Sequence, residues 1–417
     1  MVAVVIFYYL LLVLCPVMFD WMGLVHLGRW FLDSFAILAS SDFAALGHDP
    51  HQANPLDPMR RPHVYSDWWL GFAALGITRA HNFWVGGAFV AAFFLLAFAI
   101  LRPRSGPEAG WYLLFLCAPP AMVAVERANN DLVIFCLLAW VPLLLADGRR
   151  WVRWCSLVPL LLATGLKFYP AVAGLLLLDG KRREACWRAG VGVVLLGLLF
   201  AGLYENIRVI QPLVPAPGGA NGLGGRNIFL LAGQGSMSAG VCMLAVLVLG
   251  VWACRPMRLW AGISVKDGMR RDWLLFALGS AVLCGCFFAG TSYYYRMIFG
   301  VMLAPLTWRL LQKNAMPRAS RTWVKSFALL LVFMMWGDAF LYFGLVGLRG
   351  TISMPVFGGV MRGVEYVREA VTWAFMFYLA GFLMRFTRDA WRNLRRGDTG
   401  SMDAMVEARP SGLVLRG

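Results

Sequence analysis

The sequence predicts an all-α polytopic membrane protein, and three observations carry that prediction. Apolar residues make up 60% of the 417 positions, charged residues only 14%, and the mean hydropathy is +0.66. Such a composition excludes an ordinary soluble domain. The apolar residues also fall into recurrent runs long enough to cross hydrocarbon, which takes roughly 20 residues per helix. Finally, the basic residues cluster in alternate short connections between those runs, as the positive-inside bias requires.

About twelve spans are expected, within a range of roughly 10–13. They are 3–27, 83–101, 111–125, 132–146, 154–166, 168–179, 189–204, 237–254, 273–290, 297–311, 323–346 and 369–386. The runs 111–125, 154–166 and 168–179 are short and suit tilted, broken or re-entrant segments. With the N-terminus cytoplasmic, roughly 26 of the 38 basic residues face inward. They include Arg149, Arg150 and Arg153, then Lys181, Arg182, Arg183 and Arg188, then Arg255, Arg258 and Lys266. The net charge of +16 therefore reports orientation and contact with anionic membrane lipids, and gives no support for nucleic-acid binding. Residues 1–396 are expected to form one integral-membrane domain, and 397–417 a disordered cytoplasmic tail.

The opening MVAVVIFYYLLLVLC lacks a basic leader and a small-residue cleavage site, so it reads as a retained first helix. Residues 28–82 form the largest outer connection. Within it, WFLDSFAILASSDFAALG has the spacing of an interfacial amphipathic helix, HDPHQANPLDPMRRPH is a loop, and VYSDWWLGFAALG returns to the interface with its tryptophans. The connection 205–236 is too rich in glycine and proline for a regular element. Thr291–Arg296 and 347–368, the latter with Arg349, Arg362, Glu365 and Arg368, complete the polar outer face. None of the nine cysteines lies in a long outer connection, so no disulfide framework is implied.

Two polar signals stand out between apolar runs. Glu126-Arg127-Ala128-Asn129-Asn130-Asp131 holds two acids, an arginine and two amides at a membrane boundary, where charges are expensive unless they pair or act. Leu166-Lys167-Phe168-Tyr169-Pro170 places a lysine and a tyrosine at a break between two half-spans, tolerated where it lines a cavity. Together, ERANNDLVIF and GLKFYP resemble the motifs of glycosyltransferase family 87, integral-membrane enzymes of the GT-C superfamily; the likeness covers mainly residues 28–180. SYYYRMIFGVMLAPL has a similar look further on.

The resemblance implies a GT-C-like fold with juxtamembrane helices in the first outer loop. It also implies inverting transfer of a hexose, of mannose type, from a polyprenyl-phosphate sugar to a glycolipid, polysaccharide or protein acceptor, with no cofactor. That chemistry needs a carboxylate base and cations at the leaving phosphate. Asp33 is the first candidate base, with Asp42 second and Asp20 a further one. Arg127, Lys167 and Arg296 are candidates for the phosphate; each also has a structural use, as an ion-pair partner, a snorkelling lysine or a headgroup anchor. Glu126, Asn129, Asn130, Asp131 and Tyr169 complete the candidate substrate-binding set, Asn129 equally suiting a helix cap. Asp338 is a further acid inside a span. The five histidines fall within 26–81 without metal-ligand spacing, so no metal is expected. A transporter or flippase of lipid-linked sugars, and an O-antigen polymerase or ligase, remain open alternatives.

Overall fold

The computed structural model describes residues 1–24, 26, 28–215, 222–254, 260, 263, 267–290, 292–313, 316–348 and 354–396. The glycine-rich centre of the 205–236 connection, Arg255, Arg258, Lys266, Thr291, Arg349 and the tail 397–417 lie outside the described residues.

The longer helices are α1 (Val2–Leu14), α2 (Leu32–Ala45), α3 (Asn82–Leu101), α4 (Gly106–Leu116), α5 (Pro119–Glu126), α6 (Asp131–Leu145) and α7 (Leu157–Leu166). They continue with α8 (Arg182–Gly202), α9 (Ser236–Cys254), α10 (Arg270–Ala289), α11 (Ala304–Leu311), α12 (Arg318–Leu348) and α13 (Met354–Arg396). The longer 3₁₀ segments among the described residues, Asp67–Leu75, Tyr169–Leu178 and Tyr294–Leu303, interrupt them. Among the described residues the strands are β1 (Gly222–Leu223) and β2 (Ser292–Tyr293), paired antiparallel with Gly222 opposite Tyr293.

Among the described residues, five helical stretches are long and apolar enough to cross a membrane: Arg79–Leu101, α8, α10, Arg318–Leu341 and Val356–Arg395. The pair α4 and α5, bent by 57° at Pro119, supplies up to one more. This falls short of the expected twelve, and the reason is geometric. The apolar helices Val2–Leu14, Asp131–Leu145, Tyr169–Leu178 and Ser236–Trp252 have only 10–17 residues. At about 1.5 Å per residue they reach no more than about 26 Å, under the roughly 30 Å of hydrocarbon. Hydropathy counts apolar residues but does not register the turns that divide them.

Helix α10 is the axis of the molecule: 83% of its apolar window is buried, against 17% for α8 and 33% for Arg79–Leu101. It packs against Tyr294–Leu303, α13, Tyr169–Leu178 and α6. Its composition permits this, since Gly279 lets the backbone of Phe299 come within 3.0 Å of where a Cβ would stand. Helices α3 and α8 keep their side chains turned outward, as helices bathed in lipid do.

Three connections differ from expectation. Helix α2 turns Asp33, Ser34, Ile37, Leu38 and Ser41, which share one helical face, into the protein. Ser41 Oγ donates to Leu70 O (2.6 Å) and accepts from Ala73 N (2.8 Å), so its polar face is satisfied by Asp67–Leu75. The 205–236 connection carries helical turns at Tyr204–Ile210 and Asn227–Leu231 in addition to β1. In the 347–368 connection α13 has already begun at Met354, so Arg362, Glu365 and Arg368 are helical.

Candidate functional site

The site grows from how α5 ends. Ala128 adopts a left-handed φ of +43°, its N–H reaching Val125 O (3.0 Å) while Asn129 N reaches Ala124 O (2.9 Å). This is a Schellman closure, in which the left-handed position is normally glycine. An alanine there is strained by roughly 1–2 kcal/mol. The turn points consecutive side chains in divergent directions. Asn129 Oδ1 accepts from Asp131 N (2.8 Å), starting α6, the capping use open to it from sequence. Its Nδ2 donates to Asp33 Oδ2 (2.6 Å).

Asp33 sits in the first turn of α2 and is 6% exposed. Two backbone hydrogen bonds dock this turn on the motif: Phe31 N to Glu126 O (2.7 Å) and Asp33 N to Arg127 O (2.9 Å). Phe31 itself is left-handed, with φ +67°. Its ring packs over Gly86 of α3, where a Cβ would meet Phe31 carbons at 2.6–2.9 Å. Ser34 Oγ donates to Asn82 Oδ1 (2.7 Å) and fixes the same turn to the start of α3.

The second oxygen of Asp33 faces a residue that the motifs did not single out. Arg61 Nη1 donates to Asp33 Oδ1 (3.0 Å) and Nη2 to Leu32 O (2.7 Å). Arg61 Nε and Nη2 also reach the two oxygens of Asp57 (2.9 and 3.1 Å), a residue only 1% exposed. Burial by itself would lower the affinity of Arg61 for its proton, but the Asp57 hydrogen bond and the charges of Asp33 and Asp57 outweigh it and raise the pKa. An arginine pair in a loop with acids on either side was the available signal in sequence.

On the other side of the turn, Asp131 is fully buried, with two hydrogen-bond donors on one oxygen and an arginine at ion-pair distance from the other. Lys167 Nζ lies 2.5 Å and Tyr169 Oη 2.7 Å from its Oδ1, and Arg296 Nε is 3.6 Å from Oδ2. Lys167 also donates to Asn130 Oδ1 (2.8 Å). Arg296 stacks on Tyr169, 4.7 Å from the ring centroid, and reaches the site through β2, whose pairing with β1 anchors the 292–296 segment. Asn130 Nδ2, Asp131 Oδ2 and Arg296 Nε are buried without a hydrogen-bond partner. One buried carboxylate against two cations leaves this cluster with a net positive charge, the balance an anion requires.

Tyr65 joins the two halves. Lys167 Nζ lies 5.3 Å from the centre of its ring. Burial first, then the charge of Asp33, raises the Tyr65 pKa above its ordinary value, so the phenol is protonated at neutral pH.

The structure thus brings Asp33, Asn129, Asn130, Asp131, Lys167, Tyr169 and Arg296 into one contiguous polar interior. Asp42 stands more than two turns along α2 from Asp33 and accepts from Arg79 N (3.2 Å), with Arg79 Nη1 at 3.7 Å. Glu126 lies behind the turn, 3.0 Å from His26 Nδ1 and 3.7 Å from Arg127 Nε. Arg127 therefore contributes its backbone to Asp33 and its side chain to Glu126. Asp338 pairs with Arg368 (2.6 Å) in a separate cluster that reaches β1 through Gly222 O (3.1 Å). Among the described residues, no group of three or more His, Cys, Asp or Glu side chains is placed to hold a metal. His51 lies against Asp67 and the backbone of His63, and His63 is buried.

No protein-family model, curated protein or solved structure matches the chain significantly.

Proposed function

We propose that the chain is a membrane glycosyltransferase acting on the outer face of the plasma (inner) membrane. It transfers a hexose, of mannose type, from a polyprenyl-phosphate sugar to a hydroxyl of a glycolipid, polysaccharide or protein, with inversion. What supports the reading is one adjacency: a carboxylate held from both oxygens, Asp33, next to a buried two-cation cluster, Lys167 and Arg296, across the Asn129–Asp131 turn. In the proposed step the acceptor oxygen attacks the anomeric carbon while Asp33 takes its proton. The bond from that carbon to the phosphate oxygen breaks, and polyprenyl phosphate leaves with the electron pair toward the cations.

The residues have the capacity for this. Each Asp33 oxygen accepts one hydrogen bond and keeps a lone pair. Lys167 uses two of its three N–H donors on Asn130 and Asp131, leaving one for a phosphate oxygen. Asn130 Nδ2, buried and unpartnered, suits a sugar hydroxyl or a phosphate oxygen.

The test is transfer of radiolabelled sugar from polyprenyl-phosphate donors in membranes containing wild type or Asp33→Asn. Loss of a base should cost about 10²-fold or more in rate. Transfer that survives the substitution moves the base elsewhere, Asp42 first. A folded wild type that transfers from no donor, in acceptor-rich membranes, removes the enzyme reading in favour of a transporter or flippase of lipid-linked sugars.

A further inference from the structure

We infer that the start of α8 is a binding site for the headgroup of an anionic phospholipid. The argument begins with a charge inventory. At this end of the molecule the acids are already engaged: Asp147 with Arg149 (3.1 Å), Glu184 with Arg153 and with Arg188 (3.0 Å), and Asp179 with Arg270 (2.7 Å). Arg150, Lys181, Arg182 and Arg183 are exposed and make no ion pair among the described residues. The charge of Arg150 also acts on Glu184, so Lys181, Arg182 and Arg183 are the cations left for an external anion to complement.

The patch has a shape as well as a charge. A shallow, open hollow of about 390 Å³ lies over this face of α8, lined by Arg182, Arg183, Cys186 and Trp187. Two adjacent arginines at its edge suit a phosphodiester, because each planar fork can donate to two oxygens. Trp187 is 62% exposed, and an indole is the side chain that favours the headgroup level.

Below the hollow the same helix offers a path for an acyl chain. Helix α8 is long and apolar enough to span and buries only 17% of its apolar window, so it faces lipid. Val194 and Leu198 are 60% and 65% exposed and share the Trp187 face at helical spacing. Gly190 and Gly197, one heptad apart, have open space where a Cβ would project. Charge above, an aromatic at the boundary and a notched apolar track beneath match a diacyl lipid with an anionic head, and not a free anion.

The experiment uses the full-length protein in detergent after delipidation, titrated with phosphatidylglycerol or phosphatidylcholine and read by native mass spectrometry. Wild type should bind phosphatidylglycerol in preference to phosphatidylcholine. Arg182→Gln with Arg183→Gln should weaken phosphatidylglycerol by roughly 10- to 30-fold and leave phosphatidylcholine unchanged. The pair Arg318→Gln and Arg392→Gln removes the same charge elsewhere and should leave phosphatidylglycerol binding as in wild type. Equal losses in the two double variants would overturn the site in favour of bulk charge, and so would the absence of a headgroup preference in wild type. Displacement of the lipid by millimolar inorganic phosphate would assign the arginines to a free anion and likewise overturn the inference.

Discussion

Asp33 is held by an amide on one oxygen and a guanidinium on the other, and the two holders have different consequences. The amide belongs to the Asn129 turn and only orients. Arg61 orients and also neutralises, and it shares its fork with the nearly inaccessible Asp57. Arg61→Lys keeps the charge but cannot span Asp33, Leu32 O and Asp57 at once. We expect it to lower sugar transfer at least tenfold while costing only about 1–3 kcal/mol in stability; parallel transfer assays and thermal melts check this. His63 gives a pH dependence of definite sign. Burial first, and the neighbouring His51, lower its pKa from the usual 6.5 to about 4, against the opposing pull of Ser66 O. The fold thus holds it neutral, and its contribution is complete above about pH 6.5 and lost as pH falls toward 4. The loss is at most about 3 kcal/mol. Hydrogen exchange across 50–66 should accelerate over that window in wild type and much less in His63→Gln. The sequence made the motif residues legible at this scale, because acids and amides are conspicuous amid apolar runs. Arg61 and Asp57 were not, since a charge in a polar loop looks solvated until the loop is seen folded back on a helix end.

At the scale of elements, the site depends on breaks more than on helices. The Schellman closure after α5, the end of α7 at Lys167 and the β1–β2 pairing each deliver one side of it. The proline at Pro170 and the glycine-poor Ala128 turn explain why these were only half legible: the first announces a break, while the second hides one behind a residue that ordinarily continues a helix. Helix α2 was placed by its apolar spacing, but its buried serines became intelligible only with Leu70 and Ala73 opposite Ser41. Gly86 tests the coupling between elements. A methyl group there would collide with Phe31, including its Cβ at 2.9 Å, and the strained turn that carries Asp33 would have to move. Gly86→Ala is expected to cost about 1–3 kcal/mol and to depress transfer, although among the described residues Lys167 and Arg296 hold their hydrogen bonds and ion pairs with Asn130 and Asp131. Melting curves with initial rates would show whether the two losses travel together.

For the whole molecule, class was legible and count was not. Composition is a sum over residues, whereas a span is a property of uninterrupted length, and the apolar 3₁₀ segments satisfy the first without the second. The arrangement around α10 makes a labelling prediction. A lipid-soluble carbene probe should mark α8 and Arg79–Leu101 heavily and spare α10, whose apolar window is 83% buried; comparable marking of α10 would mean that it is not central. Helix α13 carries a different implication. Its 43 residues extend about 64 Å, roughly twice the hydrocarbon thickness. The uncharged stretch between Glu369 and Arg385 is only about 23 Å long. A bilayer that fits this stretch is drawn thin around it, or the flanking Arg368 and Arg385 reach outward to the headgroups. Arg368 at one border lies 5.0 Å from the ring of Tyr294, two residues before Arg296. Helix α13 is therefore a depth gauge: the local thickness of the membrane sets the height of Arg368 and, through Tyr294, of the segment that carries Arg296 into the interior.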